Sequence, residues 1–154
     1  MRTLKYLAAV AALCLMWGAV PSSADEFGTK DEAVAMVKRA IARVNEVGFE
    51  AAKPELMDHS GKFFDRDIYM VVVDLSGTRL VHGQNPKLVG KTYADAVDVN
   101  GKEYGKDVMR IATGPGTGWV SFMFKDPITG KVLPKENYVE RAGSYIYLAG
   151  VYTR

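Results

Sequence analysis

Hydrophobic residues recur along the chain with two different periods, and the change of period divides it into helical and strand segments. Val34, Val37, Ile41 and Val44 fall on one stripe, with Ala33 and Ala40 beside it, while Lys30, Arg39, Arg43 and Glu46 lie largely off it. This is the period of an amphipathic helix with one buried face, and it predicts a helix to about Val47. Thr29 and Glu32 have the spacing of a capping box, in which the hydroxyl and the carboxylate satisfy free backbone donors at the helix start. Gly48 suits the position just past the helix end. Phe49 to Met57 reads as a second, short helix, interrupted or bounded by Pro54.

From Ile68 the pattern changes to that of strands. Ile68 to Leu75 is a nearly unbroken apolar and β-branched run, as in a strand buried on both faces. Ser76-Gly77 supplies a tight turn, and Thr78 to His82 returns as a second strand, so the hairpin delivers one imidazole, His82, to the loop at its far end. Lys87 to Gly90 is a loop, Asp98-Val99-Asn100-Gly101 a turn and Glu103 to Thr113 a third helix. Three further strands follow: Trp119 to Lys125, Lys131 to Arg141 and Tyr145 to Tyr152. In the last, Tyr145, Tyr147, Ala149 and Val151 share one face, and Ile146, Leu148, Gly150 and Tyr152 the other. The connections are short, so the strands run antiparallel. The expected fold is α+β, a five-stranded antiparallel sheet with the long N-terminal helix packed on one face.

The first residues stand outside this pattern. Arg2 and Lys5 precede an uncharged, mostly apolar run from Tyr6 to Val20, and Ser22-Ser23-Ala24 follows. This reads as a secretory signal peptide over 1–24 cleaved after Ala24, leaving a single domain over 25–154 in the periplasm or secreted. The alternative, a retained anchor, is weakened because the run is shorter than the roughly 20 residues of a spanning helix. Cys14, the one cysteine, lies in this leader. The basic excess lies there too: 20 Lys and Arg face 18 Asp and Glu, and without Arg2 and Lys5 the counts are equal. Charge therefore gives no reason to expect nucleic acid as a partner or insertion into a membrane after cleavage.

Candidate chemistry is sparse. There are two histidines, His59 and His82, and no nucleophile-elbow, zinc-protease or Cys/His zinc spacing. Asp65 and Asp67 flank Arg66, which reads as a turn with a local ion pair in preference to a metal site. Asp95 to Glu103 lacks the calcium-loop spacing, and Gly114 to Gly118 lacks the Lys-Ser/Thr pair of a phosphate loop and reads as a mobile approach to a hairpin. No catalytic residues, metal or cofactor are expected. A binding site is better supported: Phe122 and Phe124 share a strand face with Trp119 at its start, and Lys135 sits mid-strand after Pro134. A cation there is either a solvated outward residue or one directed into an aromatic pocket to meet an anion.

Several motifs in order resemble one family: Ile68-Tyr69, Asp74 to Thr78, His82 with Asn85 to Lys91, Asp98 to Lys102, Gly118-Trp119-Val120, Pro134-Lys135 with Tyr138-Val139-Glu140, and Ala149 to Tyr152. Together they resemble a single Cache domain of the small, one-pocket type. The resemblance implies a PAS-like sheet, a long N-terminal helix and a sensor pocket for a small organic molecule, often a short carboxylate. On this reading Lys135 pairs with the carboxylate, Tyr69 and His82 add hydrogen bonds, and Trp119 and Phe122 wall the pocket. For His82 a cap on the hairpin loop is an equal alternative. Phe122 stands where a tyrosine is expected, removing one hydroxyl. Receptor members are held between paired membrane helices; on this reading the chain is expected to resemble the free-standing exported forms instead, with a membrane-bound signalling protein as partner. Two alternatives remain: a scaffold with a collapsed pocket and an apolar patch around Tyr145, Tyr147 and Tyr152, and an unrecognised hydrolase dependent on His82.

Overall fold

The structure, a computed structural model, describes residues 27–153. The leader expected over 1–24 lies outside the described residues. Helix α1 (Lys30–Val47) starts at the capping box: Thr29 Oγ1 accepts the Glu32 N–H at 3.3 Å, and Glu32 Oε2 accepts the Thr29 N–H at 2.8 Å. Helix α2 (Phe49–Leu56) carries Pro54 within it. Phe64–Asp65 (β1) and Ile68–Tyr69 (β2) form a small separate ladder. Then come β3 (Val71–Asp74), β4 (Arg79–His82), a 3-10 turn (Pro86–Leu88), α3 (Tyr104–Thr113), β5 (Thr117–Lys125), β6 (Val132–Ala142) and β7 (Tyr145–Tyr152). The main sheet is antiparallel with the order β4-β3-β7-β6-β5.

The expected single strand Ile68–Leu75 is divided at Met70. The Met70 N–H bonds back to Phe63 O and its carbonyl accepts from Gly83, so β2 pairs with β1 and only β3 enters the main sheet. Leu75, expected inside, is exposed at the turn. That turn is held by Asp74, whose carboxylate accepts from the Ser76 and Thr78 N–H groups while Gly77 sits at φ 88°.

The α1 stripe is rotated slightly from the expected one. Ala33, Met36, Val37, Ala40 and Val44 are buried, and Val34 and Ile41 are half-buried. They cover the sheet face that carries Tyr147, Ala149 and Val151, as the alternation of β7 predicts. The opposite face carries Ile146 and Leu148 and is covered by α3 and the segment before it. That segment also caps the edge strand β5. Asp98 Oδ2 accepts the Met123 N–H at 2.9 Å and Lys102 Nζ donates to Ser121 O. Groups that would otherwise invite another strand are thereby occupied. The Gly114–Gly118 link, expected to be mobile, is tied down: the Gly114 and Gly116 N–H groups bond to Arg110 O and Ile111 O, and Arg141 N–H bonds to Gly116 O.

Candidate functional site

The sheet face opposite α1 gathers the polar residues that strand alternation sends inward. Lys135 on β6 lies between Phe122 on β5 and Tyr152 on β7, its direct cross-strand partners. Two residues on, Asn137 pairs with Gly150, where any Cβ would lie 2.0 Å from Asn137 Oδ1. The absence of a side chain at Gly150 makes the room that Asn137 occupies. On β3, Val71 pairs with His82 and Val73 with Arg79. Arg79 and His82 are three residues apart and would point to opposite faces of a regular strand. A shift in the β3–β4 register between Val72 and Val73 brings both to the same face. Tyr69, Tyr93 and Tyr104 complete the wall from β2, the loop and α3.

These residues enclose a cavity with about 20 Å³ of free volume, room for about one water-sized group. Lys135 is 2% exposed. Its Nζ lies 3.9 Å from the Tyr69 ring centroid and 4.7 Å from that of Tyr152, where aromatic faces favour a cation. Burial pushes its pKa down to about 7, and the nearby Asp67 and Asp126 carboxylates oppose that fall. Arg79 donates from Nη1 to Thr92 O at 2.6 Å, and its guanidinium lies 4.7 Å from the Tyr93 ring centroid. Arg79 Nε and Asn137 Oδ1 are buried with no hydrogen-bond partner among the described residues, as expected of groups kept for a ligand or solvent.

His82 both caps and lines. Its Nδ1 accepts the Asn85 N–H at 3.0 Å. Burial and the neighbouring Lys135 and Arg79 charges push its pKa down to about 3. The imidazole is therefore neutral across the physiological range and carries its proton on Nε2, as a donor. The site thus offers the Arg79 guanidinium, a lysine that an anion would hold in its charged form, and a neutral imidazole donor in a mostly apolar enclosure, an arrangement suited to one small anion.

Residues 28–147 match the family Single Cache domain 2. The chain belongs to the single Cache domain family. Cache domains are sensor modules that bind small ligands, and this one shares its fold with solved members of chemosensory receptors. It superposes on a methyl-accepting chemotaxis protein from Vibrio parahaemolyticus with a TM-score of 0.67 at 23% identity, over 80% of this chain and 87% of that one. A periplasmic sensor domain of a chemotaxis protein gives 0.62 at 23%, over 80% and 90%. A Cache chemosensory domain described for its carboxylic acid recognition gives 0.68 at 20%, over 80% and 92%. No curated protein matches the chain. Among the described residues no helix is long and apolar enough to cross a membrane.

Of the residues singled out from the sequence, Tyr69, His82, Phe122 and Lys135 line this cavity. Trp119 does not. Alternation along β5 turns Val120, Phe122 and Phe124 toward the cavity and Trp119 toward α1, where it contacts Tyr138 and lies beneath Lys30. Phe122 stacks on Tyr104 at 4.0 Å. Arg79, Tyr93, Tyr104 and Asn137 were not foreseen; only Asn137 had a sequence signal, two residues beyond Lys135 on the same strand face. Asp65 and Asp67 do not converge: Asp65 pairs with Arg66 at 2.8 Å, while Asp67 is buried and accepts the Gly28 N–H. The patch that a scaffold role called for is not exposed, since Tyr147 and Tyr152 are buried and Tyr145 is half-buried against Phe49.

Proposed function

We propose that the protein is an exported Cache-type sensor domain that binds a small organic carboxylate without transforming it. One observation carries this reading: Lys135 and Arg79 converge with the neutral His82 donor on a single buried cavity. A carboxylate oxygen there would receive charge-assisted hydrogen bonds, the strongest directed contacts available to it. Tyr69 and Phe122 would wall it. Hydrolysis is disfavoured because His82 Nδ1 is held by a backbone donor, where a catalytic imidazole has an orienting acceptor. A partner in the membrane would read the bound state.

A thermal-shift screen of short carboxylates tests this. Binding at a hundredfold excess over Kd stabilises by about 2.7 kcal/mol, and Lys135→Ala should remove the shift. No shift with any carboxylate would sink the proposal. Export is tested separately. Intact-mass measurement of the protein recovered from the periplasm should give a chain starting at Asp25; a mass that retains the leader would contradict cleavage.

A further inference from the structure

We infer that the carboxylate is the head of a longer ligand, a linear carboxylic acid whose methylene chain lies in a cleft outside the cavity. This rests on the carboxylate reading above. The cavity has room for little more than a carboxylate oxygen, so the body of any ligand seated there must lie elsewhere. His82 and Phe124 wall the cavity and also wall a cleft of about 590 Å³. Because His82 and Phe124 line both spaces, a ligand chain that left the cavity beside these two rings would enter a space many times larger.

The two lips of the cleft are locked turns. On one side His82 Nδ1 holds the Asn85 N–H and Asn85 Oδ1 accepts the Lys87 N–H at 3.2 Å. On the other, the Asp126 carboxylate accepts the Ile128 N–H at 3.2 Å and the Thr129 hydroxyl at 2.7 Å. These bonds leave the cleft preformed, so filling it costs little ordering of the chain. The exposed lining mixes polar and apolar surface: Leu88, Phe124, Pro127 and Ile128 offer apolar contact, while Lys125 and Gln84, whose Oε1 is buried with no hydrogen-bond partner among the described residues, offer polar contact. Ile128 is 42% exposed, an apolar side chain left at the rim with surface to cover. An alkyl chain running out from the carboxylate would cover it, and acetate has none.

Calorimetric titration of the protein with acetate, butyrate and hexanoate tests the inference. Burying one methylene is worth a factor of about four in Kd, so hexanoate, two methylenes longer, should bind about fourfold tighter than butyrate even with the added chain half covered. The double substitution Leu88→Ala with Ile128→Ala should weaken hexanoate and leave acetate unchanged. These side chains lie at the surface, and unchanged circular dichroism would show that the fold is kept. Equal affinity at every length, or equal weakening of acetate and hexanoate by the double substitution, would overturn the extended ligand and leave the carboxylate reading standing. Failure of all three acids to bind would overturn both.

Discussion

Between pH 7 and pH 10 the ligand-free protein should gain stability, by an amount on the order of 5 kcal/mol at most, and Lys135→Met should abolish the gain. The cause is the buried ammonium. Lys135 falls from an ordinary value of 10.5 to about 7 in the fold, because burial outweighs the attraction of Asp67 and Asp126. In this window the unfolded chain holds a proton on Lys135 that the folded protein has released. Stability therefore rises with pH until the unfolded lysine also deprotonates. Each tenfold loss of proton affinity on folding corresponds to about 1.4 kcal/mol, which sets the upper figure. The window closes near pH 10. Above it the unfolded tyrosines ionise, while burial holds Tyr69 and Tyr93 protonated in the fold, and stability falls again. His82 stays neutral in the fold throughout, and its unfolded form finishes titrating just above pH 7, so it adds only a small rise at the foot of this window.

Urea unfolding at pH 7, 8, 9 and 10, on the protein and on Lys135→Met, would measure this directly. A flat profile in the unsubstituted protein, or the same slope in Lys135→Met, would refute it. The substituted protein should also be the more stable of the two at pH 7, since replacing a buried ammonium whose desolvation outweighs the attraction of Asp67 and Asp126 with an apolar group of similar length removes a net cost. The sign for ligand is opposite. A carboxylate needs the ammonium, so its stabilising effect should weaken over the same pH range. A stabilising substitution that eliminates binding identifies a residue retained for function and not for the fold.

The sequence made the scaffold legible wherever local chemistry and global packing agreed. The capping box at Thr29 and Glu32 and the two faces of β7 follow from spacing alone, and both appear in the structure as expected. The site was legible where strand alternation holds and obscure where it breaks. Lys135, Phe122 and Asn137 follow from alternation along β5 and β6. The same rule would have excluded Trp119, one residue out of phase with Phe122 and Phe124. Arg79 was hidden by the irregular pairing of β3 with β4, which cancels the phase difference between it and His82. Tyr93 and Tyr104 belong to a loop and a helix that reach the cavity through tertiary packing, for which local period carries no signal. The break at Met70 was hidden for a related reason: Ile68, Met70 and Val72 face the α1 core on both sides of the break, so the apolar run shows no interruption.

Gly105→Ala should destabilise the protein by about 3 kcal/mol or more, although local propensity favours the change. Gly105 is the second residue of α3, and alanine in a helix interior is preferred over glycine by up to about 1 kcal/mol. The surroundings reverse that preference. A Cβ at this position would lie 2.0 Å from Tyr93 O and 2.6 Å from Ala94 O. Both obstacles are backbone, and Tyr93 is buried with its N–H bonded to Gly77 O, so neither can turn aside as a flexible side chain would. Relief requires α3 to move away from the 93–94 segment. Overpacking of this kind costs about 1–3 kcal/mol when side chains can adjust, and more when the backbone itself must shift. The displacement would separate Tyr104 from Tyr93, which now meet edge to face at 5.6 Å on the cavity wall, and would loosen the stack of Tyr104 on Phe122. Stability and ligand affinity should therefore fall together, whereas Lys135→Met should separate them. Thermal unfolding of Gly105→Ala with and without saturating carboxylate would check this. A melting temperature equal to or above that of the parent protein would show that α3 can move aside cheaply and that its close approach is not what holds the cavity wall together.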